Sequence, residues 1–107
     1  MTLKDFGDLL ATSGLPVTYL AFPADDCPDM PFITFQEVGS NNFSADGKVF
    51  KRIRSMQVDL FTRDKDEAAE TALENTLGDY FWNKYQTIED NEDGQRYTYE
   101  IDILGGN

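Results

Sequence analysis

Clustered carboxylates are the side chains of this sequence that could most readily do chemistry. They fall in two loop-like stretches, which hold Asp25, Asp26 and Asp29 in the first and Glu89, Asp90, Glu92 and Asp93 in the second. Paired carboxylates serve general acid–base or metal-ion chemistry in many enzymes. Neither stretch has the alternating acidic residues, central glycine and terminal glutamate of a calcium-binding loop. We therefore interpret both as solvated acidic loops and predict no metal site.

Cys27 is the only other candidate for catalysis. The chain has one Cys and no His, so no imidazole is available to activate the thiol. The glycine patterns of dinucleotide-binding and phosphate-binding loops and the nucleophile elbow of hydrolases are also missing from the sequence. We predict that the protein is not an enzyme, has no catalytic residues and binds no cofactor.

Composition and net charge further limit which kind of protein this can be. The 107 residues, with 40% hydrophobic and 13% aromatic content, predict one folded domain over 1–107. No apolar run approaches the roughly 20 residues that span a bilayer, so we expect no membrane partner and folding in the cytoplasm. The formal net charge of -11 argues against sequence-specific nucleic-acid binding, because phosphate contacts dominate that affinity.

A short basic stretch interrupts this acidic chain. Lys48, Lys51, Arg52 and Arg54 fall within seven positions. One interpretation is a solvated strand whose charges balance acidic neighbours. The other is complementary pairing with an acidic surface on a second copy of the chain, where charge sets the register.

Phe43 is the one aromatic residue in the polar stretch 39–47, GSNNFSADG. It either folds back as a lid on the core of its own chain or remains exposed as an anchor for a partner, as aromatic residues do at interface hot spots. Both interpretations stay open at this stage.

Hydrophobic spacing predicts two helices. Residues 2–13 begin with a Thr2–Asp5 pair that resembles a capping box, and Leu3, Phe6 and Leu10 share one face. Residues 64–81 form a longer stripe at a 3.6-residue period, with Gly78 as a possible early end. The members of that stripe are Ala69, Ala72, Leu73, Thr76, Leu77, Tyr80 and Phe81.

Five strands are predicted, at residues 17–21, 32–38, 48–61, 83–89 and 95–104, with turns at 39–47 and 90–94. In the third strand Met56, Val58 and Leu60 should face inward, while Ser55, Gln57 and Asp59 face outward. The same alternation puts Ile33 and Phe35 on one side of the second strand, and Tyr97, Tyr99, Ile101 and Ile103 on one side of the last. The order α-β-β-β-α-β-β predicts an α+β fold, a mostly antiparallel sheet packed against two helices.

Five short motifs resemble those of the tail-completion (tail-terminator, head–tail joining) proteins of long-tailed phages and prophages. They are Leu15-Pro16-Val17, Pro31-Phe32, Ser40-Asn41-Asn42-Phe43, Ala45-Asp46-Gly47 and Leu60-Phe61-Thr62. The resemblance covers residues 15–80, and its most distinctive part is the turn with Asn42 and Phe43. Phe61 stands where a tyrosine is more usual in that family.

The resemblance implies a structural virion protein at the head-proximal end of the tail. Such proteins assemble as a ring, commonly of six copies, that caps the tail tube and meets the head connector, while DNA only passes through the lumen. A ring needs a heterologous interface, in which one patch of a copy meets a different patch of the next. Candidate interface residues are Asn42, Phe43, Lys48, Lys51, Arg52 and Arg54, opposed by an acidic helix face with Asp66, Glu70 and Glu74.

Two other function classes remain as alternatives. An acidic DNA mimic that inhibits a host DNA-binding protein would need its carboxylates in regular rows on one face, whereas here they fall in clusters interrupted by basic residues. A metal-dependent nuclease would need two or three carboxylates and a lysine at adjacent strand ends, and no such spacing is recognisable.

Overall fold

The computed structural model describes residues 1–40, 43–45, 48–51, 53–78, 80–87 and 94–104. Its elements run in the order α1 (Leu3–Ala11), β1 (Val17–Tyr19), a 3-10 turn (Ala24–Asp26), β2 (Phe32–Ser40), β3 (Phe43–Ala45), β4 (Lys48–Lys51), β5 (Ile53–Thr62), α2 (Glu67–Thr76), β6 (Trp82–Thr87) and β7 (Gln95–Leu104). No helix among these residues is long and apolar enough to cross a membrane.

Five strands form the main sheet, in the order β1-β2-β5-β7-β6. Only β1 and β2 pair in parallel, and the other three pairings are antiparallel. With α1 and α2 this sheet confirms the α+β prediction and the order α-β-β-β-α-β-β.

Both helices pack on one face of the sheet. Phe6 and Leu10 of α1 and Leu73 of α2 are fully buried in the same core as alternate residues of the central strands. The strand contribution, predicted from the alternation, comprises Ile33, Phe35, Met56, Val58, Leu60, Tyr97, Tyr99, Ile101 and Ile103. The hydrophobic effect of this single layer therefore holds helices and sheet together.

The capping predicted at the first helix is present. The Thr2 hydroxyl accepts a hydrogen bond from the Asp5 amide at 3.0 Å, and the Asp5 carboxylate accepts one from the Thr2 amide at 3.2 Å. This reciprocal pair satisfies two amides that have no partner inside the helix.

The second helix is shorter than predicted. It begins after Asp66, whose carboxylate accepts from the Ala69 amide at 3.0 Å, and ends at Thr76, just before Gly78. Leu73 and Leu77 of the predicted stripe are buried, but Phe81 is fully exposed. The prediction of an inward Phe81 was wrong because the helical period stops before it, and Phe81 instead precedes β6.

The stretch 39–61 also differs from its prediction. The sequence predicts one turn followed by one strand. In the structure β3 and β4 form a separate two-stranded antiparallel ribbon, and β5 begins only at Ile53. The Asp46-Gly47 return lies outside the described residues. A bulge between Glu37 and Gly39 shifts the pairing of β2 with β5 on the side toward the ribbon.

Asp59 lies on the outward face of β5, opposite the helices, as predicted, but it is only 6% exposed. Thr98 of β7 donates to one carboxylate oxygen at 2.7 Å, and Gln57 of the same strand donates to the other at 3.0 Å. These two hydrogen bonds let a carboxylate lie in the middle of the sheet without an unsatisfied oxygen.

Candidate functional site

The ribbon carries two of the four basic interface residues predicted from the sequence, Lys48 and Lys51. Its backbone pairs Phe43 with Lys51 and Ala45 with Lys48, so the aromatic and basic positions of the motif lie opposite each other. Asn42 and Arg52 are outside the described residues. The role of Phe43 as lid or anchor stays a prediction.

Arg54 lies at the base of the ribbon, on β5. Its guanidinium forms a hydrogen-bonded ion pair with the Glu37 carboxylate of β2 at 2.5 Å. Both side chains keep about a third of their surface exposed, at 28% and 32%. Arg54 therefore balances an acidic neighbour in its own chain, as the first interpretation of the basic stretch expected for this residue.

The acidic helix face predicted for partner binding is largely used inside the chain. Asp66 caps α2, and Glu70 is only 3% exposed. Lys65 lies 2.9 Å from one Glu70 oxygen, Lys84 contacts the other, and Lys84 also lies 2.7 Å from Glu74. A contact of Asp66, Glu70 and Glu74 with another copy remains a prediction.

These four charged side chains, Lys65, Glu70, Glu74 and Lys84, form what we call the α2–β6 ion cluster. The Tyr99 hydroxyl donates to Glu74 at 2.8 Å, and the Lys84 ammonium lies 5.7 Å from the centre of the Tyr99 ring. The cluster therefore joins α2 through polar groups to β7 and β6, the two strands at one end of the sheet, whereas the rest of the helix packs through apolar contacts.

Protonation in the ion cluster follows from burial and pairing. Burial raises the pKa of Glu70, but the hydrogen bonds from Lys84 and Lys65 outweigh it and the net pKa lies below its usual value. Burial likewise lowers the pKa of Lys84, and its bonds to Glu70 and Glu74 bring the net value above normal. Burial and the hydrogen bond to Glu74 raise the pKa of Tyr99. Pairing therefore favours the charged forms of Glu70 and Lys84, and the formal charges of the two lysines and two glutamates sum to zero.

A depression of about 240 Å³ lies over the ion cluster. It is lined by Lys65, Glu67, Glu70, Thr71, Glu74 and Lys84. Its two ammonium groups are already paired with Glu70 and Glu74, so it offers no concentrated positive charge to a ligand. Within the described residues there is also no group of three or more Asp, Glu, Cys or His side chains that could hold a metal ion, and Cys27 lies exposed.

The exposed apolar side chains were missed by sequence reasoning. Tyr19, Leu20 and Val38 lie at the β1–β2 edge of the main sheet, and Phe81 and Tyr85 lie at the β6 edge. Phe81 had been assigned to a buried helix stripe. A possible signal was the strand pattern of Phe81, Asn83 and Tyr85, which puts two aromatic residues on one side of a strand.

Comparison with known proteins shows a structural likeness to a virion component. No family model and no curated protein sequence matches the chain. A chain in the structure titled "Virion of native gene transfer agent (GTA) particle" resembles it with a TM-score of 0.60 and 13% sequence identity. The superposition covers 96% of this chain and 89% of the other. At this identity the likeness shows that the two chains share a fold.

Proposed function

We propose that this protein is a non-enzymatic structural component of a phage-like virion. The observation that carries the proposal is the likeness over 96% of this chain to a chain of a gene transfer agent virion particle. The match extends over 89% of that second chain, so nearly the whole of each protein is compared. The family resemblance of the turn motifs points to the same class without depending on the superposition.

The finer proposal is that copies of the protein form a ring, of about six as the family resemblance implies, that caps the tail tube at its head-proximal end. Its partners are then further copies of itself, the tail-tube protein and the head connector protein, and DNA passes through the lumen. The virion is its final location and the host cytoplasm its place of assembly. This role needs surfaces rather than an active site, in keeping with the charge-paired cluster on α2.

The ribbon is the part we assign to contact with a partner. Three basic residues at 48, 51 and 52 stand in a stretch of an otherwise strongly acidic chain, and charge complementarity gives such a segment specificity and register. The Asn42–Phe43 turn belongs to the same segment. By contrast, a DNA mimic would need free carboxylates in rows, and Glu70 and Glu74 are paired with lysines.

The test is growth of tail tubes. The major tail-tube protein of the same genome is polymerised alone and with increasing amounts of this chain, and tube lengths are measured by negative-stain electron microscopy. We expect shorter tubes with a ring of added density at one end. Arg52→Glu should weaken this effect. The control is Arg63→Glu, the same charge reversal at an exposed residue outside the basic stretch 48–54. Unchanged tube lengths at saturating protein would refute the capping role.

A further inference from the structure

We infer that the two opposite edges of the main sheet bind each other between neighbouring copies of this chain. The β6 edge patch consists of Phe81 and Tyr85, and the β1–β2 edge patch consists of Tyr19, Leu20 and Val38. The inference rests on the proposed ring and deepens it by naming the surfaces that join one copy to the next.

Exposure is the first observation behind this inference. Phe81 is 100% exposed, Leu20 59%, Val38 55%, Tyr85 50% and Tyr19 39%. These are the large apolar side chains exposed in the described part of the chain, and every one lies at an edge of the sheet rather than on a helix. Single exposed apolar residues are ordinary, but two groups confined to opposite edges mark contact surfaces.

The second observation is the position of each patch along the strand direction, which we call its level. One row of paired residues crosses the whole sheet from Tyr19 through Phe35, Val58 and Tyr99 to Lys84. Tyr85 is therefore one residue from the level of Tyr19. The next inward-facing row runs from Glu37 through Met56 and Ile101 to Trp82.

Val38 and Phe81 lie one residue beyond that second row, in the same direction, because β2 and β6 run antiparallel. A copy moved sideways across the sheet consequently brings Phe81 to the level of Val38 and Tyr85 to within one residue of the level of Tyr19. It also sets β6 antiparallel to β1 and β2, the commoner arrangement of neighbouring strands.

The β6 edge lacks the usual protection against pairing. Edge strands are commonly guarded by an outward lysine, a proline or a bulge. The one lysine of β6, Lys84, points instead onto the helix face and pairs with Glu70 and Glu74. The remaining β6 residues are Trp82, Asn83, Tyr85, Gln86 and Thr87, none of them charged.

The opposite edge leaves room for a neighbour. β1 ends at Tyr19, opposite Phe35, so Gln36 to Ser40 of β2 have no strand beside them on that side among the described residues. Leu20 directly after β1 has φ 67 and is exposed, a backbone conformation that few non-glycine residues adopt. Residues in such strained backbone conformations are concentrated at functional sites.

The contact between two copies joins the β6 edge patch of one to the β1–β2 edge patch of the other. Each chain carries one patch of each kind, so a head-to-tail contact leaves one patch of each kind free and can repeat until it closes. A contact between two β6 edges would instead stop at a dimer. The inferred interface is the heterologous one that a ring requires.

The test uses two single-edge variants and one control. Phe81→Asp removes the β6 patch and Val38→Asp removes the β1–β2 patch, while Ala68→Asp adds the same charge at an exposed position of α2. Sedimentation velocity is run over a concentration series in raised salt, which screens repulsion between copies of charge -11. We expect wild type and Ala68→Asp to associate, and each edge variant to associate about tenfold more weakly or less.

Mixing the two edge variants decides the geometry. Each retains one intact patch, so the mixture should form heterodimers and nothing larger. Circular dichroism of each variant checks that the fold is retained. A wild-type chain that stays monomeric to about 1 mM, edge variants that associate like wild type, or a mixture that forms no heterodimer would each overturn the inference.

Failure of this inference is distinguishable from failure of the capping role. If the edge variants still shorten tail tubes as wild type does, the edges are not the interface but the cap stands. If wild type associates through its edges and leaves tube lengths unchanged, the interface stands and the cap does not.

Discussion

Replacing Lys84 by methionine should destabilise the protein through the carboxylate that it leaves behind. Glu70 is 3% exposed, and Lys84 is one of the two ammonium groups that contact it. Methionine keeps the length of the side chain and its packing while it removes the charge. The effect should therefore report on the ion pair rather than on a cavity.

The expected loss follows from the burial of each partner. Removing one partner of a fully buried ion pair costs about 3–5 kcal/mol. Here Lys65 stays 2.9 Å from Glu70, and Lys84 and Glu74 keep 28% and 27% of their side-chain surface in solvent, so part of the lost attraction is replaced. We expect the free energy of unfolding to fall by about 2 kcal/mol at pH 7, which lowers the Tm by about 8 °C.

The dependence on pH gives the sharper measurement. The pKa of Glu70 lies below its ordinary value of 4.5 in the folded protein. Its contribution to stability is therefore fully present above the unfolded pKa and is lost as pH falls through the folded one. Lys84→Met removes one of the two ammonium groups that lower the pKa of Glu70, while the burial that raises this pKa remains. The pKa of Glu70 is then depressed less, so K84M should lose less stability than wild type on acidification below about pH 4.5.

Urea denaturation of wild type, Lys84→Met, Glu70→Gln and the double variant at pH 7 and pH 4 completes the cycle. The double variant should lose less free energy of unfolding than the two single variants lose together, because no buried charge is then left unpaired. A loss under about 0.5 kcal/mol for Lys84→Met, or equal pH dependence in both proteins, would refute the reasoning and show that the cluster behaves as a surface ion pair.

Three further substitutions test the fold by thermal or urea unfolding. Leu73→Ala removes a fully buried side chain of α2 and should cost about 3 kcal/mol. Asp66→Ala removes the cap that accepts from the Ala69 amide and should cost about 1 kcal/mol, with Asp66→Asn retaining most of it. Gly94→Ala should cost about 2 kcal/mol, because φ there is +130 and the added Cβ would lie 2.4 Å from the Thr62 carbonyl oxygen.

Each of these three has an outcome that contradicts it. A loss under about 1 kcal/mol at position 73 would mean that α2 is not packed on the sheet as described. Equal stability of the alanine and asparagine variants at position 66 would remove the role of the cap. An unchanged midpoint at position 94 would show that the chain there does not approach Thr62 as closely as the structure has it.

The local pattern of the sequence was sufficient for most elements of the fold. Alternation alone placed Tyr97, Tyr99, Ile101 and Ile103 on the buried face of the last strand, which runs from Gln95 to Leu104 as predicted. The Thr2–Asp5 cap likewise depends on residues three apart in the chain. Such features could be predicted because their causes, side-chain period and capping chemistry, act over a few residues.

Contacts between distant segments were decided only by the tertiary structure. Asp59 alternates like a solvent-facing residue, but Thr98, which is 39 positions away, donates to it and lets it be buried. Glu70 reads as part of an exposed acidic helix face, and its burial depends on Lys84 from another strand. A charged residue can be buried when a partner neutralises it, and one sequence does not state which partner the fold will bring.

The candidate contact surfaces divide in the same way. The basic stretch 48–54 could be singled out from the sequence, because four basic side chains are conspicuous in a chain of net charge -11. The edge patches could not, since Val38 and Phe81 are distant in sequence and have in common only their level on opposite edges of one sheet. The order and register of the strands set that level, and both arise from pairing between segments far apart in the chain.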